Sequence, residues 1–225
     1  MKGMKENTLT DWIKGTAGLL KPLYDTLKRE LFTTTDYIQS DETTVLVMYK
    51  DKHRAAKEYL WMIRGPLTGL VLFYYDKGSR GGYVIRDLIS EYNYNGYLQC
   101  DGFEGYEAAF RGNPAVRLVN CMAHIRRRFE QALTENRKAE YVMSQIQLLY
   151  SVERVCDDKK LTADECKSKR QELSRPVINS LKKWMETEGV KYSPGSLVGK
   201  ATAYAYTHWD NMMRYLCKTL EQWNK

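Results

Sequence analysis

The sequence predicts an α/β protein: a mixed five-stranded sheet flanked by helices, followed by an all-helical C-terminal portion. Three observations predict it. Short runs rich in Val, Ile, Leu and Tyr, bounded by Gly, Pro or charged residues, read as strands between Tyr37 and Asn120. Apolar residues at helical spacing separate the later runs. From Ala123 onward no strand-like run remains, and helical spacing takes over.

The first element is a helix. Thr8 is placed to cap it ahead of Leu9, with Asp11 favourably near the exposed amides of the first turn. Leu9, Trp12, Ile13, Leu20, Leu23, Leu27 and Leu31 recur near the helical period, and Pro22 is expected to kink or split the element. The stripe reads as core packing, with a dimer seam as the alternative use.

Tyr37 to Met48 is the first strand, and Asp41 interrupts it. An acid in a run ending Val-Leu-Val-Met conflicts with strand preference, and such conflicts mark functional positions. Lys50 to Lys57 reads as a loop. Tyr59–Arg64 and Leu70–Tyr75 are two strands around the Gly65-Pro66 turn, so the first three strands form an antiparallel meander. Gly81-Gly82 opens a helix carrying Val84, Ile85, Leu88 and Ile89. Tyr97–Cys100 is the fourth strand, and it stops at Asp101-Gly102. A helix from about Glu104 to Phe110 leads to the fifth strand, Val116–Asn120.

This order is β-β-β-α-β-α-β, in which right-handed crossovers make the last strands parallel to the first. The first and fourth strands can then be neighbours, which sets Asp41 beside Asp101. A strand ending in Asp-Gly hands its acid to the sheet edge where ligands bind.

The remaining helices run from Met122 to Thr134, Lys138 to Cys156, Thr162 to Thr187 and Ser196 to Leu216. Pro176 is expected to kink or break the third, and Ser193-Pro194-Gly195-Ser196 is a stop and restart. The chain is expected to divide into an N-terminal packing helix (1–35), a sheet-bearing core (36–135), a helical insertion (136–195) and a C-terminal helix (196–225).

Charge points to the class of partner. Lys and Arg total 35 against 28 Asp and Glu, giving +7 and a pI near 9.0, which favours an acidic partner such as nucleic acid. Five cysteines make an odd set without close pairs, as in a reducing compartment rather than a disulfide framework. Cys121 and His124 form Cys-x-x-His, but nothing completes a four-ligand zinc set. With no apolar signal core and no run near ~20 apolar residues, a cytoplasmic protein with no membrane partner is expected.

Two carboxylates brought together repel unless a cation neutralises them. Magnesium or manganese suits an all-oxygen site, and two such ions about 4 Å apart serve phosphodiester chemistry. On spacing alone, Asp101 as a turn acid and Asp41 as a solvated acid remain the competing reading. His124, Arg127 and Arg128 lie at i, i+3 and i+4, a cationic helix face able to hold DNA phosphates. The competing use is a solvated basic face with His124 packed beneath it. Glu42 follows Asp41 and points to the opposite strand face. Tyr92, Tyr94 and Tyr97 read as packing residues ahead of base-stacking ones.

Three motifs in order, Ser40-Asp41-Glu42-Thr43, Leu98-Gln99-Cys100-Asp101-Gly102-Phe103-Glu104-Gly105-Tyr106 and Cys121-Met122-Ala123-His124-Ile125-Arg126-Arg127-Arg128-Phe129, together resemble the IS-sixty-six family of insertion-sequence transposases. The early Thr-Leu-x-Asp-Trp-Ile helix and the late segment from Gly199-Lys200-Ala201 through Tyr204 and Trp209 to Tyr215-Leu216 extend the resemblance to nearly the whole chain.

The resemblance implies a ribonuclease H-like core with an Asp, Asp, Glu triad, with Asp41 first and Asp101 second. It implies two Mg2+ or Mn2+ ions, transposon-end DNA as partner, and metal-dependent cleavage and strand transfer. A homo-oligomer or a full-length transposase is a further possible partner. In the family the third acid follows the Tyr-Leu in an Asp-Asn-Asn-x-x-Glu-like segment. Here the chain reads Cys217 to Lys225 without that motif; Glu221 or Glu107 as an unrecognised third acid is the last-ranked option, and an ordinary exposed helix-end glutamate is the competing reading of Glu221. The expectation is therefore a transposase core truncated at both ends, the alternative being a non-catalytic DNA-binding or dimerising remnant.

Overall fold

The computed structural model describes residues 6–49 and 54–217. Strand β1 (Tyr37–Tyr49) pairs antiparallel with β2 (Arg54–Gly65), and β2 with β3 (Leu70–Tyr74). Helix α2 (Tyr83–Ser90) carries the chain to β4 (Gly96–Cys100), which lies parallel to β1. Helix α3 (Glu104–Phe110) leads to β5 (Val116–Asn120), parallel to β4. The sheet order is β3-β2-β1-β4-β5, the mixed ribonuclease H-like order, so β1 and β4 are neighbours.

Strand alternation decides which layer each face buries. Ile38, Trp61, Ile63, Leu72, Leu98 and Leu118 pack under Val84, Ile85, Leu88 and Ile89 of α2, together with Tyr106 and Phe110 of α3. Full burial of each aliphatic side chain contributes about 1.5–3 kcal/mol, so this layer is a principal source of stability. The other face is covered by α4 (Met122–Ala132), α5 (Ala139–Asp158), α7 (Arg175–Thr187), α8 (Leu197–Thr207) and α9 (Trp209–Cys217), which share a second core with Tyr37. Helix α6 (Ala163–Lys169) starts at a capping box between Thr162 and Glu165.

Several expectations change. Helix α1 runs unbroken from Glu6 to Thr33, so Thr8 lies inside it and Pro22 does not split it. The missing Pro22 donor is tolerable because this stretch is solvent-facing and water can satisfy the freed carbonyl. Nor is α1 mainly a packing helix: Leu31 and Phe32 are buried, but Trp12, Ile13, Leu19 and Leu23 are exposed. Residues 54–57, expected in a loop, extend β2, because pairing of Arg54 with Tyr49 and Lys57 with Leu46 satisfies their backbone groups despite their polarity. The helical stretch containing Pro176 widens into a π turn at Arg170–Ser174, which accommodates the proline's missing N–H without ending the helical path. The last expected helix divides at His208 into α8 and α9.

Candidate functional site

The parallel ladder between β1 and β4 pairs Tyr37 with Tyr97, Ile38 with Leu98 and Gln39 with Gln99. Asp41 and Asp101 each lie two residues beyond the last of these pairs. Both line one cavity of about 260 Å³, together with Gln39, Ser40, Met62, Gln99, Cys100, Cys121, Ala123 and His124. Asp41 is exposed, and its Oδ1 accepts from the Glu42 amide at 3.0 Å. Asp101 is half-buried, and its Oδ1 accepts from the Phe103 amide at 2.9 Å, closing an Asx turn where β4 ends.

His124 enters the same cavity from the first turn of α4. Its buried Nδ1 makes no hydrogen bond among the described residues. Its pKa is raised chiefly by the Cys121 side chain, with burial opposing and Asp101 and Asp41 adding to the rise. The imidazolium therefore persists to higher pH than an ordinary histidine.

The other two predicted cations do not enter that cavity. Arg128 lies over the Tyr204 ring, 3.8 Å from its centroid, and Arg127 is exposed on α4. Tyr204 in turn meets His208 edge-on, with ring centroids 4.6 Å apart. Glu42 departs from the cavity as strand alternation requires: its side chain is 2% exposed and accepts from Arg80 Nε at 2.9 Å and from the Tyr106 hydroxyl at 3.2 Å. Glu107 sits on α3, where it accepts from Asn211, outside the Asp41–Asp101 cavity. Glu221 lies outside the described residues.

Residues given no site role by the sequence complete the surroundings. Asn120 ends β5 and donates to the Asp101 carbonyl at 3.1 Å, and Tyr204 accepts from the Gly102 amide at 3.0 Å. The Leu-Val-Asn ending of β5 beside a strand followed by Asp101 was the available signal for Asn120; Tyr204 stood in the late segment of the resemblance, where nothing gave it a site role. The tyrosine cluster is structural: Tyr94 is buried and donates to the Tyr97 carbonyl at 2.8 Å, Tyr92 lies against Phe32, and Tyr97 carries Arg117 over its ring.

Two carboxylates flanked by amide oxygens suit a hard divalent cation. Among the described residues, however, no three His, Cys, Asp or Glu side chains converge closely enough to hold a metal ion. The described part of the cavity wall therefore presents two carboxylates, Asp41 and Asp101.

The chain is similar to three uncharacterized proteins of Sinorhizobium fredii. One, y4jD, is 29% identical over 227 residues, covering 95% of this chain and 43% of that protein. A second, y4hP, is 23% identical over 236 residues, covering 95% of this chain and 42% of that protein. The third, y4qI, is 25% identical and is covered to the same 42%. The chain thus spans less than half the length of the curated relatives it matches. Among the described residues no helix is long and apolar enough to cross a membrane. Residues 3–220 match the family described as Transposase IS66 family, the family of the three motifs around Asp41, Asp101 and His124. The chain belongs to the IS66 family of transposases.

Proposed function

We propose that this chain carries the core of the catalytic site of a DNA transposase, with Asp41 and Asp101 as two carboxylate ligands of divalent metal. One observation carries the reading: strands β1 and β4, adjacent and parallel, bring these acids to the wall of one cavity. Magnesium or manganese, when bound, would supply an activated oxygen nucleophile and charge stabilisation at the phosphodiester. The chain's own residues do the rest. Asp41 and Asp101 bring anionic oxygen to one place, and His124 adds a cation on the same wall, where a DNA phosphate approaching the acids needs a counter-charge. Arg127, exposed on the same helix, extends the attraction along the phosphate backbone, and the net charge of +7 acts in the same direction.

In a version of the chain extended to the length of its relatives, Asp41→Asn and Asp101→Asn should each abolish metal-dependent nicking of insertion-sequence ends. Undiminished nicking by both variants would sink the assignment.

A second reading has its own observation. The described residues supply two carboxylates and no third convergent ligand, which favours a non-catalytic unit that binds DNA or pairs with a longer transposase. It predicts DNA binding that weakens as salt rises, without cleavage in any divalent ion. Cleavage by the chain alone would exclude it.

A further inference from the structure

The peptide unit between Asp101 and Gly102 is hydrogen-bonded at both ends. Its carbonyl oxygen accepts from Asn120 Nδ2 at 3.1 Å, and its N–H donates to the Tyr204 hydroxyl at 3.0 Å. The partners come from opposite directions in the chain's topology: Asn120 ends the neighbouring strand β5, whereas Tyr204 stands on α8, 102 residues beyond Gly102.

A peptide unit followed by glycine would otherwise be the freest joint at this sheet edge. Bonding both its ends stops it from rotating about the flanking Cα atoms. That rotation would change the Asp101 ψ and Gly102 φ angles that shape the turn in which Asp101 Oδ1 is tied to the Phe103 amide, and with them the rotamer that this tie selects. Gly102 itself records how closely α8 approaches. A Cβ there would lie 2.5 Å from the Tyr204 hydroxyl and 2.4 Å from His208 Nε2, closer than real side chains come.

The Asn120 end of the clamp is buried. Asn120 is 3% exposed, and its Oδ1 makes no hydrogen bond among the described residues, whereas its amide nitrogen bonds the Asp101 carbonyl. On the other side, the Arg128 guanidinium covers the Tyr204 ring, so the same tyrosine that holds the Asp101 turn also holds a cation of α4.

We propose that Asn120 and Tyr204 are positioning residues for Asp101, a two-ended clamp through which β5 and the helical C-terminal part together fix the acid that follows β4. The proposal rests on the reading of Asp101 as a metal ligand. Outer partners that orient a metal ligand typically change metal affinity by about 10- to 100-fold when lost. Both residues sit at the low end of that range because each acts through the backbone.

The test uses the full 225-residue chain. Tyr204→Phe removes the hydroxyl and keeps the ring for Arg128 and His208; Asn120→Ala removes the other end of the clamp. Two quantities are read: amide hydrogen exchange of Gly102 by NMR, and Mn2+ affinity by calorimetry beside Asp101→Asn. The expected result is Gly102 exchange at least about tenfold faster in Tyr204→Phe, unchanged protection in the β1–β2 ladder, and Mn2+ binding weakened about tenfold in each clamp variant. Unchanged Gly102 exchange in Tyr204→Phe overturns the clamp. Faster exchange with unaltered Mn2+ affinity, while Asp101→Asn abolishes binding, overturns the positioning role and leaves Asp101 as a ligand. Wild-type affinity no better than that of Asp101→Asn overturns the ligand reading and the positioning role together.

Discussion

Arg80 Nε donates to Glu42 Oε1 at 2.9 Å, and the Glu42 side chain is 2% exposed while that of Arg80 is 44% exposed. The pair lies one residue from Asp41 on the other face of β1, and the Arg80 guanidinium also covers the Phe103 ring at 4.2 Å, directly after the Asp101-Gly102 turn. Burial raises the Glu42 pKa, and the hydrogen bond from Arg80 pulls it back. A carboxyl whose folded-state pKa is raised binds more protons folded than unfolded. Its charge therefore costs stability above that pKa, and the cost disappears as pH falls through it.

Arg80→Met should remove the opposing cation and enlarge the rise. We expect a loss of about 1–3 kcal/mol at pH 7, at the modest end for a buried ion because Arg80 is itself partly solvated. Denaturant titrations should show the loss shrinking as pH falls toward the ordinary glutamate value of 4.5. A loss independent of pH would assign the effect to stacking on Phe103 instead.

Within the helical layer, Arg170 is fully buried and meets Glu153 through two bonds, Nε to Oε1 at 2.8 Å and Nη2 to Oε2 at 2.6 Å. Tyr215 of α9 adds its hydroxyl to Glu153 Oε1 at 2.7 Å, so the pair joins α5, the π turn and α9. Removing one partner leaves an uncompensated buried charge, and Arg170→Met should cost about 3–5 kcal/mol. Replacing both, as Glu153→Leu with Arg170→Met, should recover most of that loss, because the desolvation of two charges is removed with their attraction. A double variant no more stable than the single would show that the hydrogen bonds of Tyr215 and its neighbours outweigh the charge term.

Close approach of helices sets a different demand at Gly82. A Cβ there would lie 1.9 Å from the Gly105 carbonyl oxygen, a backbone atom of α3 that cannot swing aside. The Gly82 φ of −58° is ordinary, so the requirement is space and not conformation. Gly82→Ala should cost about 1–3 kcal/mol by pushing α2 and α3 apart, and thermal unfolding would read it. Wild-type stability in Gly82→Ala would mean that the two helices separate freely.

How much of this was legible follows from the range of each interaction. The Asp41–Asp101 juxtaposition was readable because strands have period two, crossovers have one hand, and one acid stands on β1 while the other directly follows β4. Glu42's departure from the cavity was readable for the same reason, but its partner Arg80, 38 residues on, was not. Tyr204 belongs to a helix whose apolar spacing says only that one face is buried, not that a hydroxyl ends at Gly102. The spacing along α1 failed in the reverse sense. It named an apolar stripe correctly but could not say what covers it, and Trp12 and Ile13 face outward here. Arg54 to Lys57 became strand because β1 offered partners, a tertiary effect stronger than local polarity.

His124 and His208 give the site a titration signature with opposite signs. The Cys121 side chain raises the His124 pKa from 6.5, whereas burial lowers that of His208. For His124 the folded pKa exceeds the unfolded one, so its contribution to stability is fully present below about 6.5 and fades as pH rises through the folded value. For His208 the sign reverses: its burial is compatible with the neutral ring, and stability is lost as pH falls below the ordinary histidine value. NMR titration of the imidazole protons should therefore place His124 above His208. Cys121→Ala should lower the His124 value while leaving His208 where it was, since the thiol is the largest cause of the first shift and no cause of the second. If His124 charge helps hold DNA, affinity at fixed salt should fall as pH rises through the His124 value, and that fall should move to lower pH in Cys121→Ala. A His124 value at or below that of His208 would remove the imidazolium from the cavity wall, and with it the cationic role given to this histidine.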